Sequence, residues 1–263
     1  MLSDRQSQIL DLARRQGRVQ VDELSQRFEV SVQTIRKDLN DLCDGRLLSR
    51  IHGGAVVSFG AENVGYDARR LIAAGEKAAI GRAVADLVPN GASLTINIGT
   101  TTEAVATALS RHQGLMVVTN NINVATTLRP CPEIEVVIAG GTVRRSDGGI
   151  VGEAAVDFIQ QFRVDFAVIG VSAIEADGTL LDYDYREVRV AQAIIANARH
   201  TILVSDATKF ERTASVRIGN IREIGTFVTD HCPVEEFRQV CKAAQVRLIE
   251  VASRDRTTSI TSD

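Results

Sequence analysis

Between residues 76 and 251, short apolar runs alternate with amphipathic stretches, and this alternation limits the possible folds more than any other feature of the chain. The pattern predicts helix 76–88, strand 93–98, helix 101–110, strand 115–119, helix 122–129 and strand 134–139. It continues with helix 153–162, strand 165–171, a long helix 186–198, strands 201–204 and 226–229, helix 233–244 and strand 246–251. Strands separated by helices are returned across the sheet by those helices rather than by hairpins. The expected fold is therefore α/β, with a mostly parallel sheet flanked by helices.

Ligands of such sheets bind outside the carboxyl ends of the strands, so the residues following each strand carry the functional information. Gly99-Thr100-Thr101-Thr102 follows strand 93–98 and opens a helix, placing backbone amides and hydroxyls at the positive end of a helix dipole. Such a turn accepts anions. Neither GxxxxGK[ST] nor GxGxxG spacing is present, which argues against both nucleotide-binding loops. Other strand ends supply Thr119-Asn120-Asn121, Gly140-Gly141, Gly170, and Ser205-Asp206 followed by Lys209-Phe210. Converging on one mouth, these would offer a cation to a phosphate, and amides and carboxylates to hydroxyls. Taken singly they are plainer: a capped helix at Gly99–Thr102, a cap at Asn121, a solvated Lys209.

The first 57 residues have a different organisation. Helix 4–16 has Ser3 as its cap, Ile9, Leu12 and Ala13 on its inner face and Gly17 as its stop. A short helix 23–28 after Asp22 presents Leu24 and Phe28. Only Glu29, Val30 and Ser31 separate it from a third helix, capped by Ser31, whose Ile35, Leu39 and Leu42 recur at i, i+4 and i+7. That tight connection makes a helix-turn-helix. Gln33, Thr34, Arg36 and Lys37 then face outward near the start of the third helix, and these side chains suit base edges and phosphates. After Gly45, residues 47–50 and 55–57 predict two short strands joined through His52-Gly53-Gly54, a wing that would hold Arg50 and His52 beside a phosphate backbone.

Arg5, the run Gly17-x-Val19-x-Val21-x-x-Leu24, the segment from Phe28 through Ser31, Thr34, Ile35, Arg36, Lys37, Asp38 and Leu39, and Arg50-x-His52-Gly53-Gly54-Ala55 together resemble the signature of DeoR-type bacterial transcriptional regulators. Lys37 departs from the family's usual arginine, exchanging a planar fork for a point charge that suits phosphate better than a base edge. The strand-end motifs, with Asp147-Gly148-Gly149-Ile150-x-Gly152-Glu153 and Asp182-x-Asp184-Tyr185-x-Glu187-Val188-Arg189, resemble the family's sugar-phosphate sensor domain, a relative of ribose phosphate isomerases. The glycines and charges of 58–75 read as a linker, and the polar 252–263 as a disordered tail. The resemblance implies a winged helix-turn-helix over 1–57 and a sensor domain over 76–251. It implies a repressor of a carbon-utilisation regulon that binds double-stranded operator DNA through Ser31, Gln33, Thr34, Arg36, Lys37, Arg50 and His52. Its effector would be a small phosphorylated metabolite, glycerol 3-phosphate or similar, held by Gly99, Thr100, Thr101, Thr102 and Lys209, with Asn120, Asp182, Glu187 and Asp206 toward its hydroxyls. Asn97 stands where the family often has aspartate, and a neutral amide is a poor general base.

Charge refines these expectations. The formal net charge is −3, and the first 57 residues carry nine Lys/Arg against eight Asp/Glu. DNA binding by so weakly basic a module rests on placement and on a homo-oligomer, dimer or tetramer, that gathers phosphate contacts; it should weaken steeply with salt. Cys43, Cys131, Cys232 and Cys241 show no CxxC spacing, and His231, Cys232 and Cys241 complete no metal-ligand set, so reduced thiols, no metal and no cofactor are expected. No apolar run approaches the ~18 residues that span a bilayer, so a cytoplasmic protein without membrane contact is expected. The alternative is a sugar-phosphate isomerase with a passenger DNA-binding module, for which Asp182, Asp184, Glu187 and Asp206 offer candidate bases. A DNA-binding module is superfluous to such an enzyme, and the non-enzymatic reading is preferred.

Overall fold

The computed structural model describes residues 2–16, 18–45, 47–51, 53–57 and 66–251. Gly17, His52, residues 58–65 of the expected linker and the 252–263 tail lie outside the described residues. The chain divides into two compact units, Met1–Ile72 and Ala73–Asp263.

In the first unit, α1 (Asp4–Gln16) begins at a reciprocal cap: Gln6 N donates to Ser3 Oγ at 3.2 Å, and Ser3 N donates to Gln6 Oε1 at 3.0 Å. Its buried face is Ile9, Leu10 and Ala13, whereas Leu12 is only half-buried. A three-residue strand, β1 (Arg18–Gln20), then leads into α2 (Val21–Arg27), α3 (Val32–Asp44), β2 (Leu48–Ile51), β3 (Gly54–Val57) and α4 (Tyr66–Leu71). Sequence periodicity places the start of α2 after Asp22, but the helix starts at Val21, whose N–H donates to Gly53 O at 2.9 Å. The wing, not a side chain, caps this helix. Strand β1 escapes local reading because so short a segment is held only by its partner β3, in a sheet of order β1-β3-β2.

That pairing brings β3 so close to β1 that a Cβ on Gly54 would stand 2.1 Å from Val19 O. Backbone cannot yield there as a flexible side chain would. Gly54→Ala should therefore separate the wing from α2 and lower the stability of this unit by several kcal/mol, the scale of overpacked sites. Urea denaturation followed by far-ultraviolet circular dichroism checks this; an unchanged midpoint would mean that the approach of β1 to β3 is not required.

The second unit contains α5 (Ala74–Ala85), β4 (Ser93–Ile96), α6 (Thr100–Leu109), β5 (Leu115–Thr119), α7 (Ile122–Leu128), β6 (Ile134–Ile138), β7 (Thr142–Val143), β8 (Ile150–Val151) and α8 (Glu153–Ile159). It continues with β9 (Val164–Ile169), β10 (Ala173–Ile174), β11 (Thr179–Asp182), α9 (Tyr185–Ala196), β12 (Ala198–Val204), a 3-10 turn Ala207–Glu211, β13 (Val216–Asn220), β14 (Thr226–Thr229), α10 (Glu235–Ala243) and β15 (Arg247–Glu250). Seven strands form one parallel sheet in the order β15-β14-β12-β9-β4-β5-β6. One face carries Leu94, Ile96, Val117 and Ile202 against Ile80 and Val84 of α5, Val105 and Leu109 of α6, and Val124 and Leu128 of α7. The other carries Val118, Ala167, Ile169 and Phe227 against α8, α9 and α10, with Phe227, Phe237 and Phe210 meeting edge to face.

The hairpin β7–β8 and the sheet β10-β11-β13 were not expected, and Asp182 ends a strand rather than lying in a loop. Their strands are short and set among glycines and charges, so only pairing at a distance makes them strands. Among the described residues no helix is long and apolar enough to cross a membrane.

The sheet order fixes where a ligand fits. From β4 the chain moves through β5 and β6 to one edge, then returns to β9 and proceeds through β12 and β14 to β15 at the other. Between β4 and β9 the flanking connections part in opposite directions, and in sheets of this kind ligands bind at such a switch point, outside the carboxyl ends of the strands.

Candidate functional site

Helix α3 carries one buried and one exposed face. Ser31 Oγ accepts the N–H of Thr34 at 3.1 Å and lies 2.8 Å from Thr34 Oγ1, so Ser31 and Thr34 both serve the cap. Ile35, Leu39 and Leu42 are fully buried, whereas Gln33, Arg36, Lys37 and Asn40 are exposed along the outer face. With 13 residues the helix is about 20 Å long, a length that lies along a major groove. Behind it, buried Asp38 accepts Arg5 Nε at 2.6 Å, and Asp41 accepts Gln6 Nε2 at 3.1 Å. These two contacts strap the start of α1 to α3, beside a groove of about 780 Å³ lined by Arg5, Gln6, Gln33, Arg36 and Lys37 among others. Arg5 and Asp38 occur in the sequence signature, but their mutual contact does not follow from spacing. The backbone of Arg50 lies in β2; its side chain, like the whole of His52, is outside the described residues.

In the second unit the Gly99–Thr102 turn lies at the switch point itself. Gly99 caps α6 with φ +148°, a conformation that side chains disfavour. The first helical bond runs from Glu103 N to Gly99 O at 3.0 Å, so the amides of Thr100, Thr101 and Thr102 have no helical carbonyl behind them. The hydroxyls differ in their use. Thr102 Oγ1 donates to Asn97 O and Gly99 O at 2.8 and 2.7 Å, closing the turn, so its offer to an anion is its amide, while Thr100 stays half-buried.

Gly170, after β9, packs against the same turn: a Cβ there would be 3.6 Å from Ile98 O and Thr102 Cγ2 and 4.0 Å from Val204 O. The ends of β4, β9 and β12 therefore meet at the start of α6. Asn120 follows β5 and is clamped to the neighbouring loop, with Nδ2 donating to Ile150 O at 3.1 Å; Asn121 caps α7 through Asn123 N at 2.9 Å. At the end of β12, Asp206 is buried and would be pushed up by that burial. Lys209 and Lys77 outweigh it, together with hydrogen bonds from Thr208, and hold it below the usual carboxylate range. Lys77 Nζ is 4.0 Å from Asp206 Oδ2, and its side chain is only 5% exposed. Lys77 and Lys209 thus share this end of the sheet with the Asp206 carboxylate. Lys77 was missed by sequence reasoning although it lies on the stripe of Ile80 and Val84, three and seven residues on, a spacing that points inward.

The remaining predicted carboxylates are held by the protein. Asp182 accepts Ser172 Oγ at 3.0 Å and Tyr183 N at 2.6 Å. Arg144, also missed, donates to Asp147 at 2.6 and 2.8 Å, to Asp184 at 3.2 Å and to Glu187 at 2.5 Å, pinning the 144–149 loop to α9. Burial and the nearby Asp182 carboxylate push Glu187 up from 4.5 to about 8 despite Arg144. A folded value above the unfolded one means that the folded chain binds more protons between about pH 4.5 and 8, so Glu187's contribution to stability is present below that window and lost as pH rises through it. Asp184, lowered to about 2 chiefly by its hydrogen bond from Arg186, does not titrate there. Glu187→Gln should flatten the fall in melting temperature of this unit across the same pH range; a slope identical to wild type would assign the titration to another group.

Every carboxylate suggested as an isomerase base is thus engaged in holding structure. Nor do His231, Cys232 and Cys241 form a ligand set: His231 Nδ1 is 3.2 Å from Glu250, and burial pushes the Cys241 thiol up to about 11. Among the described residues no group of three His, Cys, Asp or Glu side chains could hold a metal.

A helix-turn-helix with an exposed third helix in one unit and a parallel α/β sheet with a glycine-opened helix terminus at its switch point in the other are the parts of a transcriptional regulator with a sensor domain, and the chain belongs to the DeoR family. Residues 5–58 match the DeoR-like helix-turn-helix domain, and residues 72–231 match the DeoR C terminal sensor domain. The chain is 46% identical over 246 residues to the glycerol-3-phosphate regulon repressor of Escherichia coli (strain K12), covering 94% of this chain and 98% of that protein. It is 49% identical over 229 residues to the protein of the same name from Haemophilus influenzae, covering 87% and 89%. A solved ribose 5-phosphate isomerase from Plasmodium falciparum shares 12% identity over 53% of each chain with a TM-score of 0.39, too slight a likeness to bear on activity.

Proposed function

We propose that this protein represses a regulon of glycerol 3-phosphate metabolism in the cytoplasm and leaves its operator when glycerol 3-phosphate, or a similar small phosphate ester, occupies the crevice of the second unit. Gln33, Thr34, Arg36 and Lys37 meet the major groove, Ser31 orients the helix, and Arg50 and His52 on the wing meet the adjacent backbone. The anion lies at Gly99–Thr102 with Lys209 and Lys77 as counter-charges, and Asn120 borders the carbon chain. Asp182, Glu187 and Asp206 shape the wall through the donors they hold. The observation that carries this reading is the placement of a capped, glycine-opened helix terminus at the one switch point of the sheet. Gel shift of an operator fragment against a millimolar series of glycerol 3-phosphate tests it, and persistence of the complex throughout would remove the effector assignment.

The weak net charge of the DNA-binding unit adds a requirement for assembly. The full chain is expected to form a dimer or tetramer that presents two recognition helices about 34 Å apart, one turn of B-DNA. Light scattering at the concentration that saturates operator reads this. A monomer of full operator affinity would contradict it.

A further inference from the structure

Three buried side-chain atoms at the carboxyl edge of the sheet have no hydrogen-bond partner: Asn97 Oδ1, Asn120 Oδ1 and Ser205 Oγ. Their residues are 1%, 0% and 1% exposed, and they follow β4, β5 and β12, the strands around the switch point. Buried polar atoms in folded proteins almost always have partners, so three orphans at one end of one sheet ask for a ligand.

The backbone that carries the two asparagines is fixed. Asn97 is held on both sides of its backbone, with its N–H on Val168 O at 3.0 Å and its carbonyl on Thr102 Oγ1 at 2.8 Å. The pairing of Ile96 with Thr119 makes Asn97 and Asn120 neighbours on adjacent strands. Asn120 Nδ2 is engaged with Ile150 O, and Asn120 O accepts Ile150 N at 2.7 Å, so the amide oxygen is the end left over. Thr119 shows the contrast: its hydroxyl donates to Ile96 O at 2.7 Å and accepts Asn121 N at 3.1 Å.

A phosphate dianion brings only acceptors, and it cannot serve two amide oxygens. We propose that Asn97 and Ser205 join Asn120 in a subsite that reads the hydroxyls of the bound phosphate ester, with Asn97 as the residue that sets the preference for an ester carrying them. This rests on the reading above that Gly99–Thr102 holds the phosphate. Esters carrying a carboxylate in place of the hydroxyls would set negative oxygen against amide oxygen and are excluded by the same atoms.

Calorimetry on the full chain tests the proposal with glycerol 3-phosphate, n-propyl phosphate, 3-phosphoglycerate and inorganic phosphate. Sites that hydrogen-bond a ligand hydroxyl discriminate strongly against the analogue lacking it, and wild type should favour glycerol 3-phosphate over n-propyl phosphate by roughly 100-fold or more. In Asn97→Leu, of similar volume but without polar atoms, that ratio should fall below about 10, and Asn97→Asp, which keeps an acceptor, should restore it. The wild-type ligand series stands without any variant, so poor folding of Asn97→Leu leaves the test intact. Equal affinity of wild type for the two esters, preference for 3-phosphoglycerate, or an unchanged ratio in a folded Asn97→Leu overturns the proposal while leaving the anion site standing. Failure of wild type to bind any of the four phosphates overturns both.

Discussion

Arg36→Ala is expected to abolish sequence-selective operator binding, whereas Lys37→Ala weakens binding almost evenly across sequences. Both side chains are exposed on the first two turns of α3, but they differ in what they can distinguish. A guanidinium bridges two acceptors on one guanine, and removing such a contact costs roughly 1–3 kcal/mol for each half-site. An ammonium on phosphate carries no sequence information, and its loss should lower the salt slope by about one per protomer. Asp38, which takes Arg5 behind the helix, is untouched in both variants, so the orientation of α3 is preserved. Footprinting over a panel of operator variants at several salt concentrations decides the matter. Full sequence preference in Arg36→Ala would mean that another side chain reads the bases.

Thr100→Glu and Lys209→Ala are each expected to yield a repressor that still binds operator but ignores the effector. Thr100 is the first residue of α6 and only half-buried, so an acidic side chain there is compatible with the helix dipole. It also puts a negative charge where the phosphate is proposed to lie. Lys209 is the first of the cations that counter Asp206, and its removal takes one positive charge from the proposed site. Release by a ligand requires that the ligand prefer the arrangement with low operator affinity, and a hundredfold change corresponds to about 2.7 kcal/mol of coupling. Losing that coupling makes repression constitutive in cells. Operator titrations with and without effector, beside calorimetry for binding, provide the measurement; release of both variants at wild-type effector concentration would place sensing outside this crevice.

Much of this site is visible in the linear pattern because it depends on neighbours in sequence. Ser31 as a cap, the inward row of Ile35, Leu39 and Leu42, and the outward row of Gln33, Arg36 and Lys37 all follow from the helical period. Gly99 at the junction of an apolar run and a helix is local in the same sense, since only the turn itself demands its conformation. The boundaries near Val21 and the three-residue strand β1 do not follow from the pattern, because their hydrogen bonds go to Gly53 and β3, more than thirty residues away.

By itself, then, the sequence determined two units of different periodicity, the identity of the outward face of α3, and a set of strand ends that could receive an anion. Only the tertiary structure decided which strand ends lie beside the switch point. The order β15-β14-β12-β9-β4-β5-β6 places the turns after β4 and β9, with Gly99–Thr102 in the first, where the connections diverge, because a switch point lies between strands and not along any one of them. The same long-range packing turned Lys77 inward to Asp206, engaged Arg144 with three carboxylates and left Asn97 and Asn120 without partners. Those facts depend on which residues meet across the fold, and burial then sets the strength of each charge and hydrogen bond that results.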